Sequence, residues 1–126
     1  MSQNRLILYI DDDTASQGLV REIIAQHNRY QIQTAETLTG GLNACGDVLP
    51  DLILLDMNLS GVSGYDIIKD VRQYPGFGQT PVIAVSGDAL QEDIDKALAA
   101  GFTDYITKPI FIDKFIATLE RFLDEA

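Results

Sequence analysis

Residues 52 to 55, Leu-Ile-Leu-Leu, run without a polar interruption into a single carboxylate, Asp56, and then into a loop carrying Gly61 and Gly64. Four consecutive large aliphatic side chains leave no hydrated side, so this segment is expected to be a strand covered on both faces. Strands of that kind belong to parallel sheets sandwiched between helices, not to half-exposed antiparallel meanders. Ligands of open parallel sheets bind just beyond the carboxyl ends of the strands, where Asp56 would stand.

The rest of the chain repeats the theme. Residues 6–10 (Leu-Ile-Leu-Tyr-Ile) predict a first buried strand ending in Asp11-Asp12-Asp13, and Leu19, Val20, Ile23 and Ile24 recur at helical spacing within 14–27. A short strand at 31–35 precedes a weaker helix over 37–47, with Thr37 as N-cap and Gly40 and Gly41 lowering its intrinsic stability. Pro50 breaks the chain before the central strand, 51–55. Tyr65, Ile67, Ile68 and Val71 mark a third helix over 64–73, followed by the turn-rich Tyr74-Pro75-Gly76-Phe77-Gly78. Pro81 opens a strand over 82–85 that stops at Ser86-Gly87-Asp88. Asp88 and Gln91 resemble a capping box for a fourth helix bearing Leu90, Ile94, Ala97 and Leu98, and Gly101 resembles its left-handed cap, with Phe102 folding back. A strand at 103–106 leads into Thr107-Lys108-Pro109, and Ile112, Phe115, Ile116, Leu119, Phe122 and Leu123 form the apolar stripe of a last helix. Five strand-helix units require right-handed crossovers, hence an α/β fold: a doubly wound five-stranded parallel sheet with helices on both faces and the flavodoxin-like order 2-1-3-4-5.

Composition narrows the function. The 126 residues are expected to form a single domain, 1–126. No apolar run nears the roughly 18 residues that span a bilayer and no signal-peptide pattern opens the chain, so no membrane association and a cytoplasmic location are expected. Nineteen acids against 9 bases give a net charge of −10, which repels phosphate backbones and disfavours direct nucleic acid binding. Cys45 has no partner for a disulfide or a zinc site and is read as a small buried thiol. His27 is read as a helix-end residue, and Phe111, Phe115 and Phe122 as core. The triplet Asp11-Asp12-Asp13 is costly after an apolar strand unless a cation offsets the repulsion.

In the order 2-1-3-4-5, the strand tips bring Asp11, Asp12, Asp56, Ser86 and Lys108 to one rim. Three carboxylates are hard oxygen ligands that suit Mg²⁺, which takes one or two protein carboxylates together with a phosphoryl oxygen. A lone carboxylate such as Asp56 is a competent nucleophile toward phosphorus, and Lys108 and Ser86 would supply a point charge and a hydroxyl donor to the product.

These residues resemble the receiver domain of bacterial two-component response regulators across essentially the whole chain. The motifs are Ile10-Asp11-Asp12, Leu55-Asp56-Met57-Asn58 with Gly64, Val85-Ser86-Gly87 and Thr107-Lys108-Pro109. The resemblance implies Asp56 as phosphoacceptor and Asp12 and Asp56 as Mg²⁺ ligands. It further implies Asp11 acting through a metal-bound water, the backbone carbonyl of Asn58 as another ligand, and Lys108 and Ser86 on the phosphoryl oxygens. It also implies a cis bond before Pro109, aiming Lys108 into the site. Asp13 has no such role and is expected as a solvated acid near the first helix N-terminus. Ser60 stands where many relatives have proline, Ser86 replaces the commoner threonine, and Asn58 and Asp88 occupy positions that tune phosphoryl loss.

The resemblance implies a signalling switch that catalyses only its own phosphorylation and dephosphorylation. Ser86 and Tyr105 would change the face made by the fourth helix, fifth strand and last helix, where a downstream protein target would read it. The donor would be a histidine kinase or a histidine phosphotransfer protein docking on the first helix and the loops around Asp56. The short flanks suggest no appended output domain, and several stretches are also similar to receivers of hybrid sensor kinases. Two rivals are an aspartate-nucleophile phosphatase, which would want Thr or Val where Ala15 stands, and an interaction module that takes no phosphate. A flavin-binding protein of the same fold is a third, disfavoured because three acids would repel the flavin phosphate.

Overall fold

The computed structural model describes residues 5–27, 29–59, 61–88 and 90–124. Ser60, at the expected proline position, lies outside them. The elements in order are β1 (Arg5–Ile10), α1 (Thr14–His27), β2 (Tyr30–Ala35), α2 (Leu38–Cys45), β3 (Leu52–Asp56), β4 (Asn58–Leu59), β5 (Val62–Ser63), α3 (Gly64–Gln73), β6 (Val82–Ser86), α4 (Gln91–Ala100), β7 (Asp104–Thr107) and α5 (Ile112–Leu123). The main sheet is parallel throughout, in the order β2-β1-β3-β6-β7. This is the expected 2-1-3-4-5 arrangement once the small β4–β5 hairpin is set aside. That antiparallel hairpin pairs Asn58 with Ser63 and Leu59 with Val62. Its two-residue strands are too short to carry a period, so no sequence pattern announces them.

The period of two along each strand divides the core into two layers. Ile7, Tyr9, Leu52, Leu54, Ile83 and Val85 face α1 and α5, meeting Val20, Ile23, Ile24, Phe115, Ile116, Leu119 and Leu123. Leu8, Ile10, Ile53, Leu55, Val82 and Ala84 face the other way, toward Ile67, Ile68 and Val71 of α3, Ala97 of α4, and Phe102. β3 is buried along its whole length, as its unbroken apolar run requires. Among the described residues no helix is long and apolar enough to cross a membrane.

Several expectations need correction. In α1 the buried residues are Gln17, Val20, Ile23 and Ile24, while Leu19 is exposed. The glutamine is drawn inward because its amide donates to the Asp11 carbonyl at the end of β1. The Asp88–Gln91 capping box does not form: α4 starts at Gln91, its N-cap is Leu90 without a side-chain cap, and the Asp88 N–H turns back to Ser86 Oγ at 3.1 Å. Leu90 and Leu98 are exposed, so α4 is held mainly through Ala97. Phe111 is not core but 67% exposed, and Ile112 beside it is also exposed, because the turn into α5 carries both clear of the layer that buries Phe115. Cys45 is only half-buried, and burial pushes its thiol up from the ordinary value.

Other details match. Thr37 caps α2 by accepting from the Gly40 N–H at 3.0 Å, and Gly101 ends α4 in the left-handed region with φ of 119°. Phe102 returns to the last turn, its N–H donating to the Ala97 carbonyl. His27 closes α1, its Nδ1 lying 3.0 Å from the Ile23 carbonyl. The Lys108–Pro109 bond is cis. Arg72 fastens α3 to the opposite end of the sheet from the acids, donating to the carbonyls of Gly101, Phe77 and Thr80.

Candidate functional site

Parallel strands that start in register also end together, and four of them end in polar residues. β1 delivers Asp11 and Asp12, β3 delivers Asp56, β6 delivers Ser86, and β7 leads into Lys108. One ligand atom from each of Asp11, Asp12 and Asp56 lies within 4.8 Å of the others. Lys108 Nζ stands 3.1 Å from Asp11 Oδ2 and 3.8 Å from Asp56 Oδ1. Its backbone is tied in by the Lys108 N–H donating to the Ser86 carbonyl at 2.7 Å.

Asp56 is 6% exposed. Burial first, and then the charge of Asp11, push its carboxyl up from 3.8 to about 6, against the Asn58 N–H and Lys108, which favour the ionised form. The Asn58 N–H donates to Asp56 Oδ1 at 3.3 Å, holding the loop backbone beside the carboxylate. Gly64 lets the start of α3 approach that loop: a Cβ there would stand 2.6 Å from Met57 Sδ and 3.0 Å from Met57 Cα. The Gly64 N–H donates to the Met57 carbonyl across this close contact.

The three acids gather beside the Lys108 ammonium, and the charge of Asp11 adds to burial in raising the carboxyl of Asp56. The donor set is all oxygen, without histidine or cysteine, and so fits a small hard divalent cation such as Mg²⁺.

Ser86 is buried, and its Oγ accepts from the Asp88 N–H. The Asp88 carbonyl in turn accepts from the Tyr105 hydroxyl at 2.8 Å. Ser86, Asp88 and Tyr105 are thus one hydrogen-bonded chain, beside a cleft of about 200 Å³ that Met57 and Asn58 also line.

Two supporting residues were not among the expected site residues. Tyr9, fully buried on β1, donates its hydroxyl to Asp11 Oδ2. Burial, the hydrogen bond to Asp11 and the charges of Asp11 and Asp56 hold its phenol well above the ordinary range. The period of two could have found it, since residues 7, 9 and 11 share one face. Gln17 is the other; a glutamine inside the helical stripe was the available signal. Asp13 is more than a solvated acid, because it caps α1 through the N–H and hydroxyl of Ser16. Those bonds lower its carboxyl from the usual value.

A flavodoxin-like sheet thus carries a buried aspartate, two flanking acids, a hydroxyl and a lysine at its carboxyl edge. The family model of the response regulator receiver domain matches residues 7–120. The chain is 37% identical over 114 residues to the transcriptional regulatory protein KdpE of Mycobacterium tuberculosis, covering 90% of this chain and 49% of that protein. It is 31% identical over 120 residues to the polar-differentiation response regulator DivK of Brucella anthropi, covering 95% of this chain and 97% of that one. It therefore spans about half of the first relative and nearly all of the second. Among solved structures, the chemotaxis response regulator CheY4 of Vibrio cholerae superposes with a TM-score of 0.84 at 24% identity, over 96% of this chain and 100% of that one. The receiver domain of a sensor histidine kinase from Pseudomonas aeruginosa PAO1, described with a magnesium ion coordinated in its active site cleft, superposes with a TM-score of 0.82 at 24% identity, covering 98% and 100%. At that identity the two structures speak for the fold. The chain belongs to the response regulator receiver domain family of two-component signalling.

Proposed function

We propose that this domain, residues 1–126, accepts a phosphoryl group on Asp56 from a phosphohistidine donor and switches a protein-binding face in response. The observation that carries the reading is the convergence on one buried carboxylate of two further acids and the Lys108 ammonium. Asp12 and Asp56 would hold Mg²⁺ with the Asn58 backbone carbonyl, and Asp11 would contribute through water. When bound, Mg²⁺ supplies the positive charge that lets two anions, acceptor and phosphoryl group, approach each other.

An Asp56 oxygen forms the new bond to phosphorus while the bond to the donor imidazole nitrogen breaks, its electron pair staying on that nitrogen. Lys108, already shared between Asp11 and Asp56, is within reach of the oxygens that acquire charge. Ser86 gains an acceptor for its hydroxyl. Because Ser86 also holds the Asp88 N–H, and Asp88 holds Tyr105, a shift of Ser86 toward the phosphoryl group releases Tyr105. The face of α4, β7 and α5 then changes shape for a downstream protein. The donor, a histidine kinase or a phosphotransfer protein, would dock on α1 and the loops around Asp56, and the domain's only catalysis would be of its own phosphorylation and dephosphorylation.

Intact-mass measurement after incubation with a small acyl phosphate and Mg²⁺ tests this. One phosphoryl adduct is expected on the native chain and none on Asp56→Asn; an adduct retained by the variant would move the acceptor elsewhere.

A further inference from the structure

The Asp11 carboxylate is surrounded by donors. Its Oδ1 accepts from the Asp13 N–H at 2.9 Å, and its Oδ2 accepts from Lys108 at 3.1 Å and from the Tyr9 hydroxyl. A carboxylate offers about four lone-pair sites, so these donors leave Asp11 roughly one. Tyr9 reaches this oxygen from inside the core, a tyrosine with no exposed surface on a strand whose other buried residues, Ile7, Leu8 and Ile10, are aliphatic. Isoleucine or valine would fill the same layer; a phenol adds one hydrogen bond, and that bond ends on an acid of the site.

We propose that Tyr9 is a positioning residue: its hydroxyl holds Asp11 in one rotamer, confines that acid to an indirect role toward a cation, and keeps Lys108 shared between Asp11 and Asp56. This rests on the function proposed above and assigns a part to a residue outside the rim. Without the hydroxyl, Lys108 is the one remaining side-chain donor on Asp11 Oδ2 among the described contacts, and the ammonium is drawn toward Asp11, already its nearer partner. Asp11, less well solvated by the protein, then attracts a cation more strongly. Metal affinity and phosphoryl acceptance therefore move in opposite directions, which a loss of packing alone would not produce.

The test is Tyr9→Phe, which keeps the ring, examined alone and in an Asp11→Asn background, with thermal unfolding to establish that each variant is folded at the assay temperature. Mg²⁺ affinity is read by calorimetry, and the single-turnover rate with a small acyl phosphate is read at saturating Mg²⁺. A bond to a charged group converts to the expected effect: the Mg²⁺ dissociation constant and the rate each fall by roughly ten- to a hundredfold. In the Asp11→Asn background, Tyr9→Phe changes neither by more than about twofold, the signature of coupling between the two side chains. A third readout needs no metal. The chain has no tryptophan, so the difference absorbance of native protein and Tyr9→Phe isolates Tyr9, and Asp11→Asn should shift that band.

Equal metal affinity and rate in Tyr9→Phe and native protein would overturn the proposal, as would both worsening together, or the same effects persisting without Asp11. If the native chain itself takes no phosphoryl group, the function proposed above fails, while the coupling between Tyr9 and Asp11 still reads out in metal affinity and absorbance.

Discussion

Replacing Asp56 with asparagine should stabilise the metal-free protein, and the size of the effect follows from the site. The carboxyl is raised from 3.8 to about 6, mainly by burial and by the neighbouring charge of Asp11. A raised pKa means that the folded state binds the proton more tightly than the unfolded state. The stabilisation this gives is fully present below pH 3.8 and is lost as pH rises through about 6. Above that, the folded protein carries an ionised Asp56 at a cost of about 3 kcal/mol. Asparagine keeps an acceptor for the Asn58 N–H but never ionises. For a chain of 126 residues the difference corresponds to a rise in Tm of about 10 °C. Thermal unfolding followed by circular dichroism in a chelator, from pH 4 to 8, should show the variant and native curves together at pH 4 and separated at pH 8. Excess Mg²⁺ should narrow the gap by stabilising the native chain preferentially. An Asp56→Asn variant no more stable than the native protein at pH 8, or a gap of the same size at every pH, would refute the electrostatic account of this site.

Three further outcomes follow from the geometry. Asp12→Ala should abolish most of the Mg²⁺-dependent rise in Tm, weakening metal affinity at least about tenfold by calorimetry; normal affinity would contradict its assignment as a ligand. Lys108→Ala should still bind Mg²⁺, since it removes a positive charge 3.8 Å from Asp56, but its phosphorylation rate should fall and the Tyr105 resonances should stay unchanged on addition of donor. Gly64→Ala should cost about 1–3 kcal/mol in urea unfolding, because its Cβ would meet Met57 Cα at 3.0 Å and backbone cannot swing aside; a neutral effect would mean that the loop after β3 yields more easily than its contacts imply.

Much of this was legible from residue types because strand identity and strand end coincide. An apolar run that stops at Asp56, and others that stop at Asp11, Ser86 and Lys108, determine both the sheet and the rim once the crossovers are right-handed. Helix ends were less legible. Asp88 and Gln91 have the spacing of a capping box, but Asp88 has a competing acceptor in Ser86 Oγ, which is close only in the folded chain. Phe111 and Leu90 carried the chemistry of core residues, yet each lies at a turn into a helix, where direction rather than hydrophobicity decides exposure. Tyr9 and Gln17 were hidden for the opposite reason. Each sits within an apolar stripe, and its polar end matters only because Asp11 lies beyond it.

The central claim, that Asp56 is the phosphoryl acceptor and becomes an acyl phosphate, is tested most directly by trapping the product. After treatment with donor and Mg²⁺, borohydride reduces an aspartyl phosphate to a homoserine residue with release of phosphate, and peptide mass spectrometry then locates the reduced residue. The account predicts reduction at position 56 alone, dependent on both donor and Mg²⁺. Reduction at Asp11 or Asp12 instead, or a phosphoryl adduct that resists borohydride altogether, would contradict it.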